Sequence, residues 1–176
     1  MKIKKTKFKD LLIVEQKNNV DNRGSLRETF NDKILKKKFI FEYCTTSKKN
    51  VFRGFHFQVK NKQSKYVNVV KGKILDVVID LRKNSKTFGR IFSIILSKKN
   101  ALGLFIPAGF AHAYYSYDKE NVIYYKLDNY YTPKFESGII YNDATINFKW
   151  PNKKMIVSKK DKNLPSFLAF KKKIKY

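Results

Sequence analysis

An all-β fold, a sandwich or a barrel, is what this sequence predicts. Short runs rich in Val, Ile, Tyr, Phe and Thr recur along the chain, and turn signals separate them about every ten residues. Hydrophobic residues make up 43% of the 176 positions and aromatics 15%, a composition that folds around a core. Helical patterns are confined to short insertions and the C-terminal tail. The length suits one domain spanning 1–176.

The elements follow in order. Residues 8–16 alternate weakly. Asp21-Asn22-Arg23-Gly24 is a turn, and 25–30 reads as the strand that leaves it. Residues 32–38 are the best short helix, and 39–46 is β-like again. The aromatic stretch Val51-Phe52-Arg53-Gly54-Phe55-His56-Phe57-Gln58 is strand-like. Residues 65–70, the turn Lys71-Gly72-Lys73 and residues 74–81 read as a hairpin. Residues 88–96, 103–106, 113–117 and 122–127 continue the series. The tail carries lysine on too many faces to assign.

The formal charge of +25 points at first to nucleic acid or an anionic membrane. Only five of the 39 basic residues are arginine, however, and Lys, Asn, Ile, Tyr and Phe together are the set that AT-rich codons encode. The lysines are spread out, thickening at 2–9 and 171–175, with no zinc-finger spacing, no aromatic RNA-binding signature and no basic helix followed by heptads. Neither nucleic acid nor membrane is therefore the expected partner. No apolar run approaches the roughly 20 residues that span a bilayer. Met1-Lys2-Ile3-Lys4-Lys5 lacks the core of a signal peptide, and Cys44 is a lone cysteine. A cytoplasmic protein is expected.

Chemistry concentrates around two histidines. His56 has Arg53 three residues before it and Lys65 shortly after. Side chains three apart on a strand face opposite ways, so Arg53 and His56 need Gly54, or a twist, to share a pocket. A base, a fixed cation and an ammonium in one concave site suit proton abstraction beside a carbonyl on an anionic substrate. His112, in Ile106-Pro107-Ala108-Gly109-Phe110-Ala111-His112-Ala113, follows a Pro/Gly turn at the mouth of a strand. Alone it reads first as a half-buried structural histidine capping the turn. Tyr125 and Tyr131 flank a turn-rich link with Glu136 beyond; they are core and edge tyrosines, or a general acid and a stacking ring. Asp161, after Ser158-Lys159-Lys160, is a surface turn residue or the carboxylate that orients His56. With no His-x-His pair and no second cysteine, the spacing does not point to a metal.

Taken together the motifs resemble the dTDP-4-dehydrorhamnose 3,5-epimerase family. The matching pieces are Asp21-Asn22-Arg23-Gly24, Arg53-Gly54-Phe55-His56-Phe57-Gln58 and Gln63-Ser64-Lys65-Tyr66-Val67. They continue with Gly72-Lys73-Ile74-Leu75-Asp76-Val77-Val78-Ile79-Asp80-Leu81-Arg82, Ser85-Lys86-Thr87-Phe88-Gly89 and Ile106-Pro107-Ala108-Gly109-Phe110-Ala111-His112. The block 125–138, Trp150-Pro151 and Ser158-Lys159-Lys160-Asp161 complete a set that runs in family order over residues 21–161.

The resemblance implies a cupin-type double-stranded β-helix, or jelly roll, with short peripheral helices. It implies a homodimer with no cofactor and no metal, acting on a nucleotide-diphosphate sugar. The implied reaction inverts C3 and C5 of a 4-keto-6-deoxy sugar, as in conversion of dTDP-4-dehydro-6-deoxy-D-glucose to dTDP-4-dehydro-L-rhamnose for O-antigen or capsule. On this chain His56 would be the base, Asp161 its partner, Lys65 the enolate stabiliser and Tyr125 the acid. Arg53 matches a diphosphate-binding position, and His112 a supporting place in the sugar pocket. Arg23, Glu28, Tyr131, Glu136 and Lys160 match other substrate positions, Arg23 and Glu28 reaching a neighbouring subunit's site through an exchanged N-terminal strand.

The chain departs from the family at Phe41-Glu42-Tyr43, where a Gln-x-Asn pair is common, ahead of Thr45 and Ser47, and at Asn68, where arginine is common. These departures keep open a C3-only epimerase, a GDP-4-keto-heptose epimerase and a deoxysugar ketoisomerase. The non-enzyme alternative is an anion-binding β-barrel.

Overall fold

The structure is a computed structural model that describes residues 1–173. Two antiparallel sheets face each other. One has six strands: β1 (Lys2–Lys5), β2 (Leu12–Glu15), β5 (Phe41–Lys48), β7 (Lys65–Lys71), β10 (Leu102–Ile106) and β12 (Glu120–Leu127), in the spatial order β1-β2-β10-β7-β12-β5. The other has five: β6 (Phe52–Gln58), β8 (Lys73–Asp80), β9 (Ile91–Ser97), β11 (Phe110–Ser116) and β13 (Glu136–Gly138), in the order β13-β6-β11-β8-β9. A separate hairpin of β3 (Asn18–Asp21) and β4 (Gly24–Arg27) pairs only with itself. This is the jelly roll that the resemblance implied. Among the described residues no helix is long and apolar enough to cross a membrane.

Period-two patterning decides what lies between the sheets. Val67, Val69, Leu104, Ile106, Ile123 and Leu127 of the larger sheet meet Ile74, Val78, Leu96, Phe110 and Tyr114 of the smaller. The outer faces are also covered. Phe52, Phe55, Val77, Ile79 and Ala111 pack under the C-terminal segment with Trp150 and Phe167. Val14, Tyr66 and Phe105 pack under Leu35, Phe30 and Phe39. Central strands buried on both faces explain why 65–70 and 74–81 read as nearly continuous apolar runs.

The supposed hairpin at 65–81 does not form. Strand β7 pairs with β10 and β12, whereas β8 pairs with β11 and β9. Lys71-Gly72-Lys73 is a corner at which the chain changes sheets. Gly72 has φ +80°, and a Cβ there would lie 2.6 Å from the Glu120 carbonyl. The Asn121 side chain pins the corner: its Oδ1 accepts from the Lys73 amide at 3.0 Å and its Nδ2 donates to the Ser47 carbonyl at 3.1 Å. Two alternating runs around a glycine look the same in sequence whether they fold back in one sheet or turn into the next.

Other boundaries shift. The expected strand at 8–16 shrinks to β2, because Phe8 sits in a turn closed by the Thr6 hydroxyl. The strand at 25–30 is β4, which ends at Arg27. Helix α1 is Asp32–Leu35, capped by the Asn31 side chain and stopped by Lys36 at φ 52°. The strand at 88–96 begins at Ile91 and that at 113–117 at Phe110, which places His112 inside β11 rather than at its mouth. Strands β1, β3 and β13 were not anticipated. In the tail, α2 is Lys159–Lys162 and α3 is Phe167–Lys173, while Lys175 lies outside the described residues.

At the end of β8 a buried carboxylate organises the following turn. Asp80 accepts from Arg82 at 2.9 and 2.7 Å and from the Ser85 and Thr87 hydroxyls at 2.6 Å each. Burial alone would raise the Asp80 carboxyl, but these donors outweigh it and hold it below the ordinary 3.8. Its stabilisation is therefore complete above that value and is lost as pH falls below it. Asp80→Ala is expected to destabilise the fold by about 2–4 kcal/mol at neutral pH. Denaturant midpoints of the two proteins should converge as the medium is acidified through the carboxylate range.

Candidate active site

The geometry starts at Gly54. Across β6 and β11, His56 pairs with His112, but Arg53 pairs with Tyr114, so β6 spends three residues where β11 spends two. The irregularity falls at Gly54-Phe55. Gly54 has φ +123°, and a Cβ there would stand 2.5 Å from the Ala113 Cβ and the His112 carbonyl, so only glycine fits. The bulge turns Arg53 and His56 to one side, and both line a cavity of about 300 Å³.

That cavity lies between the two sheets. The five-stranded sheet supplies Arg53, His56, His112 and Tyr114; the six-stranded sheet supplies Tyr43, Thr45, Lys65 and Tyr125. Lys160 and Asp161 close it from α2, whose first turn is capped by the Ser158 hydroxyl accepting from the Asp161 amide at 3.0 Å. A smaller adjoining space of about 70 Å³ is lined by Gln58, Gln63, Tyr131 and Glu136, and Tyr43, His56 and Lys65 border both.

His56 Nε2 lies 2.8 Å from Asp161 Oδ1, and Asp161 Oδ2 accepts from the Gly54 amide at 3.2 Å. Burial would raise the Asp161 carboxyl, but the His56 hydrogen bond and charge, with the Gly54 and Ser158 donors, hold it below its ordinary value. An ionised Asp161 can only accept, so Nε2 carries the proton and Nδ1 presents its lone pair. Nδ1 stands 3.9 Å from Glu136 Oε1, beyond hydrogen-bonding range. Glu136 in turn accepts from the Tyr131 hydroxyl and the Lys160 ammonium.

Deeper in, His112 Nε2 pairs with Asp76 Oδ2 at 2.8 Å, and Asp76 is fully buried with Oδ1 unpartnered among the described residues. Burial lowers Lys65 to about 8, with Glu136 and Asp76 pulling against it, so the ammonium still dominates at neutral pH. Tyr125 is 3% exposed. Burial, then the neighbouring Tyr114, Tyr43 and Asp76, push its phenol well above the ordinary range, so it stays protonated. The site thus offers an oriented imidazole lone pair on one wall and a protonated phenol and an ammonium on the other.

His56, Lys65, Tyr125, Asp161, Arg53, His112 and Lys160 line the main cavity, and Tyr131 and Glu136 the adjoining space. Arg23 and Glu28 do not join them. Arg23 pairs with Asp21 at 2.6 Å on the exposed β3–β4 hairpin, and Glu28 accepts from Asn31 at 2.8 Å. Asn68, one of the departures, points away from the cavity and meets Gln16 on the outer face of β7. Three contributors carried no role in the sequence reading: Tyr114, whose hydroxyl meets Ser47 at 2.8 Å and Thr45 at 3.1 Å; Asp76; and the cap Ser158. A lone carboxylate inside the apolar run Ile74-Leu75-Asp76-Val77-Val78 was the available signal, since a buried charge demands a partner.

The family model described as dTDP-4-dehydrorhamnose 3,5-epimerase matches residues 5–169. A curated dTDP-4-dehydrorhamnose 3,5-epimerase from Methanothermobacter thermautotrophicus is 38% identical over 167 residues, covering 90% of each chain. The crystal structure of the Bacillus anthracis dTDP-4-dehydrorhamnose 3,5-epimerase, with TDP and PPi bound, superposes with a TM-score of 0.91 at 35% identity, covering 94% of this chain and 99% of that one. The Legionella pneumophila dTDP-6-deoxy-D-glucose-3,5-epimerase, in complex with dTDP-4-keto-L-rhamnose, gives 0.89 at 34% identity, covering 93% and 91%.

Side-chain NMR of Lys65 should give a titration midpoint near 8. Asp76→Asn removes one of the two negative neighbours and should move that midpoint lower still.

Proposed function

Because the chain belongs to the dTDP-4-dehydrorhamnose 3,5-epimerase family, we propose a residue-level mechanism for its epimerase reaction on a nucleotide sugar. The substrate is dTDP-4-dehydro-6-deoxy-D-glucose and the product dTDP-4-dehydro-L-rhamnose. The observation that carries the mechanism is the placement of His56 and Tyr125 on opposing sheets across one cavity that Lys65 also lines.

The C4 ketone acidifies the hydrogens on C3 and C5. His56 Nδ1 takes one of them from one face, and Asp161 stabilises the imidazolium that forms. The electron pair left on carbon moves into the ketone, and charge grows on its oxygen. The Lys65 ammonium neutralises that charge where little water screens it. Tyr125 then delivers its proton to the same carbon from the opposite face, and the configuration is inverted. The imidazolium then releases its proton to solvent and the Tyr125 phenolate takes one up, and a second round inverts the other centre. Arg53, steered by the Ser47 hydroxyl at 3.1 Å and open to solvent, suits the diphosphate, with Lys160 near by. His112, clamped by Asp76, supports the sugar from the floor.

We assign the working form as a homodimer. The β3–β4 hairpin projects with Val20 75% and Leu26 69% exposed, an apolar surface suited to a second copy. In that assembly Arg23 and Glu28 are carried toward the neighbour's cavity.

The test is proton NMR in deuterated water with dTDP-4-keto-6-deoxyglucose. Loss of the C3 and C5 signals, with product formed, is the expected result, and exchange at C3 alone would reassign the chain to a single-centre enzyme. His56→Ala should abolish both exchange and product while the far-ultraviolet circular dichroism is unchanged; near-full turnover in that variant would remove His56 as the base. Tyr125→Phe should lower net epimerisation by about 10²-fold or more while deuterium wash-in persists, because abstraction does not need the phenol.

A further inference from the structure

Tyr43 is among the cavity residues to which the mechanism above gives no part. Tyr43 borders both the main cavity and the adjoining space, a position it shares only with His56 and Lys65 among their described lining residues. It is paired directly across the β5–β12 ladder with Tyr125. The two rings stack with centroids 4.8 Å apart and planes 24° from parallel. Phe41, two residues back on the same face, buttresses Tyr43 at 5.7 Å, and Tyr130 buttresses Phe41 at 6.0 Å.

Apolar residues of the core between the sheets enclose the Tyr125 ring, and Tyr43 is the ring stacked on its face. Thr45 is the polar side chain in reach of its hydroxyl, and His112 meets the ring edge-on at 6.1 Å. A tyrosine side chain turns about two bonds, so the direction of its O–H is set mainly by what holds the ring plane. Proton delivery to carbon tolerates little misalignment.

We propose that Tyr43 is a positioning residue for Tyr125: its stacked ring holds the Tyr125 phenol aimed across the cavity at the carbon to be protonated. The role belongs to the ring and not to the Tyr43 hydroxyl. The proposal rests on the epimerase reading above, and it ties the aromatic Phe41-Glu42-Tyr43 segment to the protonation half of the reaction.

The test separates that half from abstraction. Tyr43→Phe, Tyr43→Leu and Tyr125→Phe, with the double variant Tyr43→Leu/Tyr125→Phe, are compared for deuterium wash-in and for net epimerisation of dTDP-4-keto-6-deoxyglucose. Tyr43→Phe keeps the ring and should hold both rates within about threefold of the unaltered chain. Tyr43→Leu should lower net epimerisation at least about tenfold while wash-in falls less than about threefold. In the Tyr125→Phe background the same change should add nothing, because the group it positions is gone. Equal loss of both rates in Tyr43→Leu, no loss in either, or full additivity in the double variant would each overturn the proposal. Absence of exchange in the unaltered chain would instead overturn the epimerase reading on which it rests.

Discussion

Carboxylates enclosed between two apolar sheets must be paired, and that constraint organises the rest of this molecule. Leaving an isolated charge in such a place costs far more than a fold can absorb. The cavity therefore contains couples: Asp161 with His56, Asp76 with His112, Glu136 with Lys160 and Tyr131. The Asp161–His56, Asp76–His112 and Glu136–Lys160 pairs join elements that are distant in the chain, so they also fix how α2 and the strand β13 seat on the barrel. Asp161 is the clearest case, because it grips the His56 ring and the Gly54 amide with its two oxygens. The carboxylate that orients the His56 imidazole also ties down the bulge that aims it.

The two sheets then divide the labour. The five-stranded sheet carries the histidines, the guanidinium and Tyr114, and the six-stranded sheet Tyr43, Tyr125 and the ammonium. A reaction that must remove a proton from one face of a carbon and return it to the other needs opposed walls. A jelly roll provides them without a moving part, since inward-facing residues of two sheets already point at one another. What the walls need beyond that is local: a glycine where a side chain would strike β11, and an aromatic partner that keeps a phenol from turning.

Much of this was legible in the sequence, and the reasons are physical. Alternation of apolar residues exposes strands directly, so the β-rich class, the strands around 65–70, 74–81 and 122–127, and the Asp21–Gly24 turn were all readable. His56 and Lys65 stood out because a charged residue flanked by apolar neighbours needs a reason. Alternation does not say which strand lies beside which, and the corner at Gly72 was therefore mistaken for a hairpin turn. The side chain that makes the corner, Asn121, lies some fifty residues away and leaves no mark near the glycine. His112 was placed at a strand end because Pro107 and Gly109 are turn residues; the strand in fact starts immediately after them. Tyr43 shows the same limit, since its partner on β12 is invisible until the ladder is built.

The large positive charge is best understood from inside the cavity outward. Arg53, Lys65 and Lys160 line the site, but Asp161, Asp76 and Glu136 stand against His56, Lys65, His112 and Lys160. Arg53 pairs with no carboxylate among the described residues and is held by neutral hydroxyl and carbonyl oxygens. An anionic diphosphate is the natural complement to a guanidinium left in that state. The remaining lysines are mostly exposed and spread along the chain, where water and salt screen them. One arginine with neutral neighbours at the mouth of an enclosed site therefore says more about the ligand than a net charge of +25 does.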